Sequence, residues 1–144
     1  MFAEIPNAER RFDDNTKAYG NRITKIKSSS IAGLDRVRSE GCTFDLIFID
    51  GDHRRDNVLA ESLLCWPMLR KDGVLIWDDY KAGRGMPMAE RVRQATDVFL
   101  LLHAGEFDEL ERGAQVIIRK RRKPAQVRRR QAALLWRNLR NMIR

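Results

Sequence analysis

Residues 44–80 read FDLIFIDGDHRRDNVLAESLLCWPMLRKDGVLIWDDY, and the stretch holds two apolar runs that each end in aspartates. The first run, FDLIFI at 44–49, is nearly continuously apolar and has the length of a strand covered on both faces. Asp50, Gly51 and Asp52 follow it. From about Arg54 to Leu69 the positions Val58, Leu59, Ser62, Leu63, Trp66 and Leu69 recur at helical spacing. Asp52 or another polar residue of the loop can cap that helix. Pro67 lacks a backbone N–H and therefore kinks or ends the helix early. Lys71-Asp72-Gly73 then makes a turn, and Val74 to Trp77 forms a second buried strand that runs into Asp78 and Asp79. Strand, helix and strand in that order predict a βαβ unit with parallel strands.

The same alternation extends outward on both sides. Residues 7–19 predict a polar amphipathic helix opened by Asn7 and closed by Gly20, and Ile23 to Lys27 predicts a short strand. The serines at 28–30 can cap a helix over 31–39 that places Ile31, Leu34 and Val37 on one face and stops before Gly41. After Asp79 come the glycine-rich loop 82–87, a helix over 88–102 and short strands near 106–110 and 115–119. The whole pattern is an α/β fold with a doubly wound, mostly parallel sheet.

At 144 residues with 43% apolar content, the chain is long enough for one domain with a real core. No apolar run approaches the roughly 20 residues that span a bilayer, and no basic start precedes an apolar segment, so a cytoplasmic location is the expectation. Cys42 and Cys65 have no metal-binding or disulfide-framework spacing and read as reduced thiols. The net charge of +8 is unevenly spread: eleven Lys or Arg lie in 119–144, leaving 17 basic against 20 acidic residues in 1–118. The division is thus a mildly acidic body, 1–119, and a basic tail, 120–144. Within the tail, Ala132, Leu135, Trp136, Leu139, Met142 and Ile143 share one face of a predicted helix and arginines the other. The tail reads first as a solvated, partly disordered arm, and next as a basic helix that lies on an anionic membrane surface or in a partner's groove. Nucleic acid is disfavoured, because no aromatic platform accompanies the charge.

In an open sheet, ligands bind beyond the carboxyl ends of the strands. Asp50 and Asp52 after one strand, and Asp78 and Asp79 after the next, therefore converge on one crevice. Carboxylates gathered there repel one another unless neutralised, and Mg²⁺ or a similar hard divalent cation is the usual partner of an all-oxygen set. The plainer reading of each aspartate is a turn former or helix cap. His53, just beyond Asp50, could act as a base. His103, in LLLHAG, reads as a partner of a helix C-terminus.

Taken in order, IDGDH, the Trp-Pro of the helix, KDGVLIWDDY and the closing GAQVIIRK resemble the class I S-adenosylmethionine-dependent methyltransferases that include macrocin-type sugar O-methyltransferases. The resemblance runs from about Ala8 to Lys120. It implies a Rossmann-like sheet and a divalent metal held by Asp50, Asp78 and Asp79. It also implies metal-assisted O-methylation of a small hydroxylated substrate. Ser29 and Ser30 would lie near the cofactor's adenosine, with Asp50 close by. Some relatives carry a His two residues past the acidic pair, where this chain has Lys81, so His53 and Lys81 are the two candidates for the proton-accepting role. The family's strand order is 3-2-1-4-5-7-6. This sequence contains no glycine-rich loop after a first strand and no acid after a second, so the resemblance covers an N-terminally incomplete domain. The expectation is that strand 23–27 pairs directly with 44–49, that an N-terminal half or a second copy could otherwise supply the missing strands, and that the chain alone binds cofactor weakly or not at all. The alternative is a non-catalytic remnant that acts as an interaction module through its basic helix.

Overall fold

The computed structural model describes residues 7–83 and 85–122. Helix α1 spans Ala8–Thr16 and passes into a 3₁₀ turn at Lys17–Arg22. Asn7 precedes it in the left-handed region, φ 63°, and its side chain makes no capping hydrogen bond, contrary to the expected role. Helix α2 covers Ser30–Ser39, with Ser29 as its N-cap accepting from the Ala32 N–H at 3.4 Å. Strand β1, Phe44–Ile49, leads to helix α3, Arg55–Cys65. Pro67 sits in a 3₁₀ turn, Trp66–Met68, that ends α3 as its missing N–H dictates. Strand β2, Leu69–Trp77, helix α4, Val92–Leu102, and strands β3, Phe107–Arg112, and β4, Val116–Lys120, complete the described chain.

The sheet order is β1-β2-β4-β3, which reproduces the 4-5-7-6 half of the order implied by the resemblance. β1 and β2 run parallel, whereas β4 is antiparallel to both β2 and β3. The architecture is α/β and Rossmann-like, with its parallel part confined to the βαβ unit of 44–77. The expected turn at Lys71-Asp72-Gly73 lies inside β2 as a wide irregularity. Phe44 pairs with Leu69 and Leu46 with Val74, so Asp45 alone stands against Arg70–Gly73. Asp72 adopts φ 66° there. A Cβ on Gly73 would fall 2.8 Å from the Arg70 carbonyl oxygen, so only glycine fits. Arg70 closes the bulge by donating to Asp45 at 2.7 Å.

Cross-strand register shows which face is packed. The rows Ile49–Trp77–Val116 and Ile47–Leu75–Ile118 point to one side. There Trp77, Leu75, Val116 and Ile118 are essentially inaccessible and join Val58 and Cys65 of α3 with Ala95 and Phe99 of α4 in a single core. Trp77 donates its indole N–H to Ser62 Oγ at 2.8 Å, and Ser62 passes a bond to the Val58 carbonyl at 2.6 Å. This explains a serine on the apolar face of α3. Leu63, expected inward, is instead 41% exposed.

Two expectations fail here. β1 was expected to be covered on both faces, yet Leu46 and Phe48, on the side away from the core, are 57% and 46% exposed. Among the described residues no helix lies over that side, so alternation of exposure replaces full burial. The predicted strand at Ile23–Lys27 does not form, and β1 pairs only with β2 among the described residues. Its lysines are drawn instead to α1: Lys25 reaches Asp13 at 2.5 Å and Glu9 at 3.2 Å, and Lys27 reaches Glu9 at 2.7 Å. The basic tail beyond Arg122 lies outside the described residues.

Candidate functional site

Strands β1 and β2 end side by side, and the Asp78 N–H donates to the Ile49 carbonyl at 3.1 Å, so Asp50 and the Asp78-Asp79 pair emerge together. Asp79 then takes a left-handed backbone, φ 55°, which turns it toward the loop after β1. His53 Nε2 stands 3.2 Å from Asp79 Oδ2 and 4.0 Å from Asp50 Oδ1. One ligand atom from each of Asp50, His53 and Asp79 can be found with all three within 4.8 Å of one another. Donor atoms on a divalent cation with bonds of about 2.1 Å sit roughly 3 to 4 Å apart; the His53 separations of 3.2 and 4.0 Å lie in that range, and the set as a whole, within 4.8 Å, is slightly wider than a bound ion would hold it.

Asp78 is not part of that group. Its Oδ1 accepts from the Asp79 N–H at 2.9 Å and from Gln115 Nε2 at 3.3 Å. Asp52 is occupied in the loop, accepting from the Arg54 N–H at 2.8 Å and from Asn57 Nδ2 at 2.5 Å. Burial alone would raise its pKa, but these two donors hold it below the usual carboxylate value. Behind the pair, the Tyr80 N–H donates to the Ala114 carbonyl at 2.9 Å. The Tyr80 hydroxyl donates to Asp97 at 2.8 Å and accepts from Arg112 at 3.0 Å. These contacts anchor the Asp78-Asp79 turn to the end of β3, the β3–β4 turn and α4.

Two cavities flank the trio. The first, of about 230 Å³, is walled by His53, Arg54, Asp79, Ala82, Gly83, Met86, Glu90 and Val92. Gly83, φ 71°, and a bond from the Met86 N–H to its carbonyl at 2.9 Å shape the 82–87 loop that closes one side. The second, of about 450 Å³, lies between α2 and the end of β1 and includes Ser29, Ser30, Leu34, Ile47, Asp50 and Glu61. Asp50 therefore faces the second cavity, and His53 and Asp79 face the first.

Of the residues singled out from sequence, Asp50, His53 and Asp79 come together, Ser29 and Ser30 share a cavity with Asp50, and Asp78 stands behind them. Lys81 is exposed and lies outside the lining of both cavities. His103 is the C-cap of α4, as expected, with Nδ1 3.1 Å from Glu106 and its ring 4.4 Å from that of Phe99. Sequence reasoning missed Gln115 and Glu61. Gln115 lies in the closing GAQVIIRK stretch, but nothing in that stretch marks it as a partner of Asp78. Glu61 had a signal, since it lies at helical spacing with Val58 and Cys65 on the buried face of α3.

An open α/β sheet whose adjacent strands end in acids between two cavities defines a Rossmann-like ligand-binding class. The family described as "Methyltransferase domain" matches residues 3–80, more than half of the chain, and the chain belongs to that family. No curated protein matches it by sequence. Among solved structures it is similar to the MycE methyltransferase from the mycinamycin biosynthetic pathway in complex with Mg, SAH and mycinamycin VI. The TM-score is 0.56 at 16% identity, covering 83% of this chain and 39% of that one. A MycE crystal form with Mg and SAH gives a TM-score of 0.52 at 16% identity, covering 83% and 40%. The chain spans about two fifths of the length of these structures, and at this identity the likeness speaks for the fold.

Proposed function

We propose that this chain carries the cation-binding and acceptor-binding side of an S-adenosylmethionine-dependent O-methyltransferase acting on a small hydroxylated molecule. One observation carries the reading: the Asp50, His53 and Asp79 trio lies between two cavities, so a donor held on one side and an acceptor on the other would meet at the acids. MycE structures with Mg and SAH support the choice of ligands. Asp50 and Asp79 would hold Mg²⁺ or a similar cation, and Asp78, tied to Gln115, would fix the turn that presents Asp79. Such a cation supplies Lewis-acid chemistry, lowering the pKa of a bound hydroxyl.

The remaining work falls to side chains of this chain. Ser29, Ser30 and Asp50 line the cavity assigned to the adenosine. His53, oriented by Asp79, stands on the wall of the acceptor cavity and is better placed than exposed Lys81 to take the hydroxyl proton. Transfer moves the methyl group from sulfur to the hydroxyl oxygen: the C–S bond breaks, the C–O bond forms and the hydroxyl proton leaves. Positioning dominates the rate of such an in-line displacement.

The test is Mn²⁺ titration followed by electron paramagnetic resonance. Asp50→Asn and Asp79→Asn should each weaken binding by at least about tenfold, the scale seen for loss of even an outer ligand partner. Absence of Mn²⁺ binding to the unaltered chain at millimolar concentration would remove the cation from the reading. A second reading draws on the charge distribution, eleven cations in 119–144 against a mildly acidic body. The tail would then dock the body to anionic membrane, and vesicles containing phosphatidylserine should retain the full chain but not one ending at Arg122.

A further inference from the structure

The cavity between α2 and β1 has one feature that the proposed chemistry leaves unused. Its walls are largely apolar, from Ile26, Leu34, Val37, Ile47 and Ile49, yet Glu61 reaches into it from the buried face of α3. Glu61 is only 5% exposed, and its carboxyl lies close to the Ser30 hydroxyl on the wall of the same cavity. The chain after β1 passes close by: a Cβ on Gly51 would lie 3.3 Å from Ser30 Oγ and 3.9 Å from Glu61 Oε1. Ser30, Gly51 and Glu61 therefore meet at one point of the wall, next to Asp50. Burial raises the Glu61 pKa; the nearby Ser30 hydroxyl opposes this, and the charge of Asp52 adds to the rise.

A buried acid in an apolar cavity is a recognition group when a ligand can satisfy it. In its neutral form a carboxyl offers one O–H donor and a carbonyl with two lone pairs. One lone pair can serve Ser30, and the other can serve an amino group beside a ring nitrogen that takes the O–H. That pairing matches the amino-pyrimidine edge of adenine; the edge of hypoxanthine, with a carbonyl and a ring N–H, is matched only if the O–H moves to the oxygen beside Ser30, where the carbonyl is the better acceptor.

We propose that Glu61, seated against Ser30, is the specificity-determining residue that selects an adenine base in this cavity. The proposal rests on the cofactor reading above and goes further by naming the side chain that reads the base. Ligand-observed NMR titration of the full chain with S-adenosylhomocysteine and with its 6-oxo counterpart, S-inosylhomocysteine, tests it. The unaltered chain should prefer the adenine ligand by about tenfold, as a bidentate base contact provides. Glu61→Gln, which keeps one donor and one acceptor, should retain the preference, and the near-isosteric apolar Glu61→Met should reduce it below about threefold. Should Glu61→Met fail to fold, Ser30→Ala at the exposed start of α2 must lower the preference instead. If the preference survives in these variants, Glu61 is not the reader and the cofactor reading stands. If the unaltered chain binds neither ligand, both fall.

Discussion

At the residue scale, four aspartates of equal prominence in the sequence have different surroundings. Asp52 is committed to Arg54 and Asn57 and Asp78 to Gln115, whereas Asp50 and Asp79 lie 4.0 and 3.2 Å from His53 Nε2. Proximity in sequence could not separate Asp78 from Asp79, because the difference is the left-handed turn at Asp79 and a glutamine 37 residues away. The two cysteines are likewise distinguished by packing. Cys65 is 1% exposed, and burial pushes its thiol pKa up from 9.0 to about 12, whereas Cys42 is half-buried. Only the thiolate is nucleophilic. Iodoacetamide at pH 8 should therefore alkylate Cys42 well before Cys65, as read by mass spectrometry of the intact chain; equal rates would contradict the burial. Because the folded-state pKa is raised, the proton on Cys65 favours folding below about pH 9, and that contribution is lost as pH rises toward 12.

At the element scale, β4 and β1 behave differently from their compositions. Lys120 begins the basic stretch, yet it ends β4 and donates to the Trp66 and Leu69 carbonyls at 2.7 and 2.8 Å, with its ammonium 4.7 Å from the Trp66 ring centre. It thus satisfies the backbone where Pro67 ends α3, and its burial lowers its pKa. Lys120→Met should cost about 3 kcal/mol, the lower end for two hydrogen bonds from a charged donor, measured by urea unfolding. β1 poses the opposite problem. Among the described residues its free edge and its exposed Leu46 and Phe48 make a template for further strands. Phe48→Lys should reduce self-association in light scattering while changing stability by no more than about 0.5 kcal/mol. A more stable or more associated variant would count against the open edge.

At the scale of the whole molecule, the described chain holds the β1-β2-β4-β3 part of a methyltransferase fold, and the cation, acceptor and cofactor sides are those proposed above for its two cavities. The sequence contains no glycine-rich loop to approach the methionine end of that cofactor. Affinity for S-adenosylmethionine should accordingly be weaker than micromolar by isothermal titration. Micromolar binding would show that Ser29, Ser30, Asp50 and Glu61 suffice without such a loop.

Much of this was readable from the chain alone. The apolar runs at 44–49 and 74–77, each ending in aspartate, determined a βαβ unit and the crevice at its end, because period, length and turn chemistry are local properties. Pro67 ended α3 for the same local reason. The fate of Ile23–Lys27, the outward face of β1 and the choice of Asp79 over Asp78 beside His53 were decided by tertiary structure. Each depends on which distant group supplies the partner: Glu9 and Asp13 for the lysines, no described helix for Leu46 and Phe48, and Gln115 for Asp78. Such pairings carry no periodicity along the chain, so they exist only once the elements have packed.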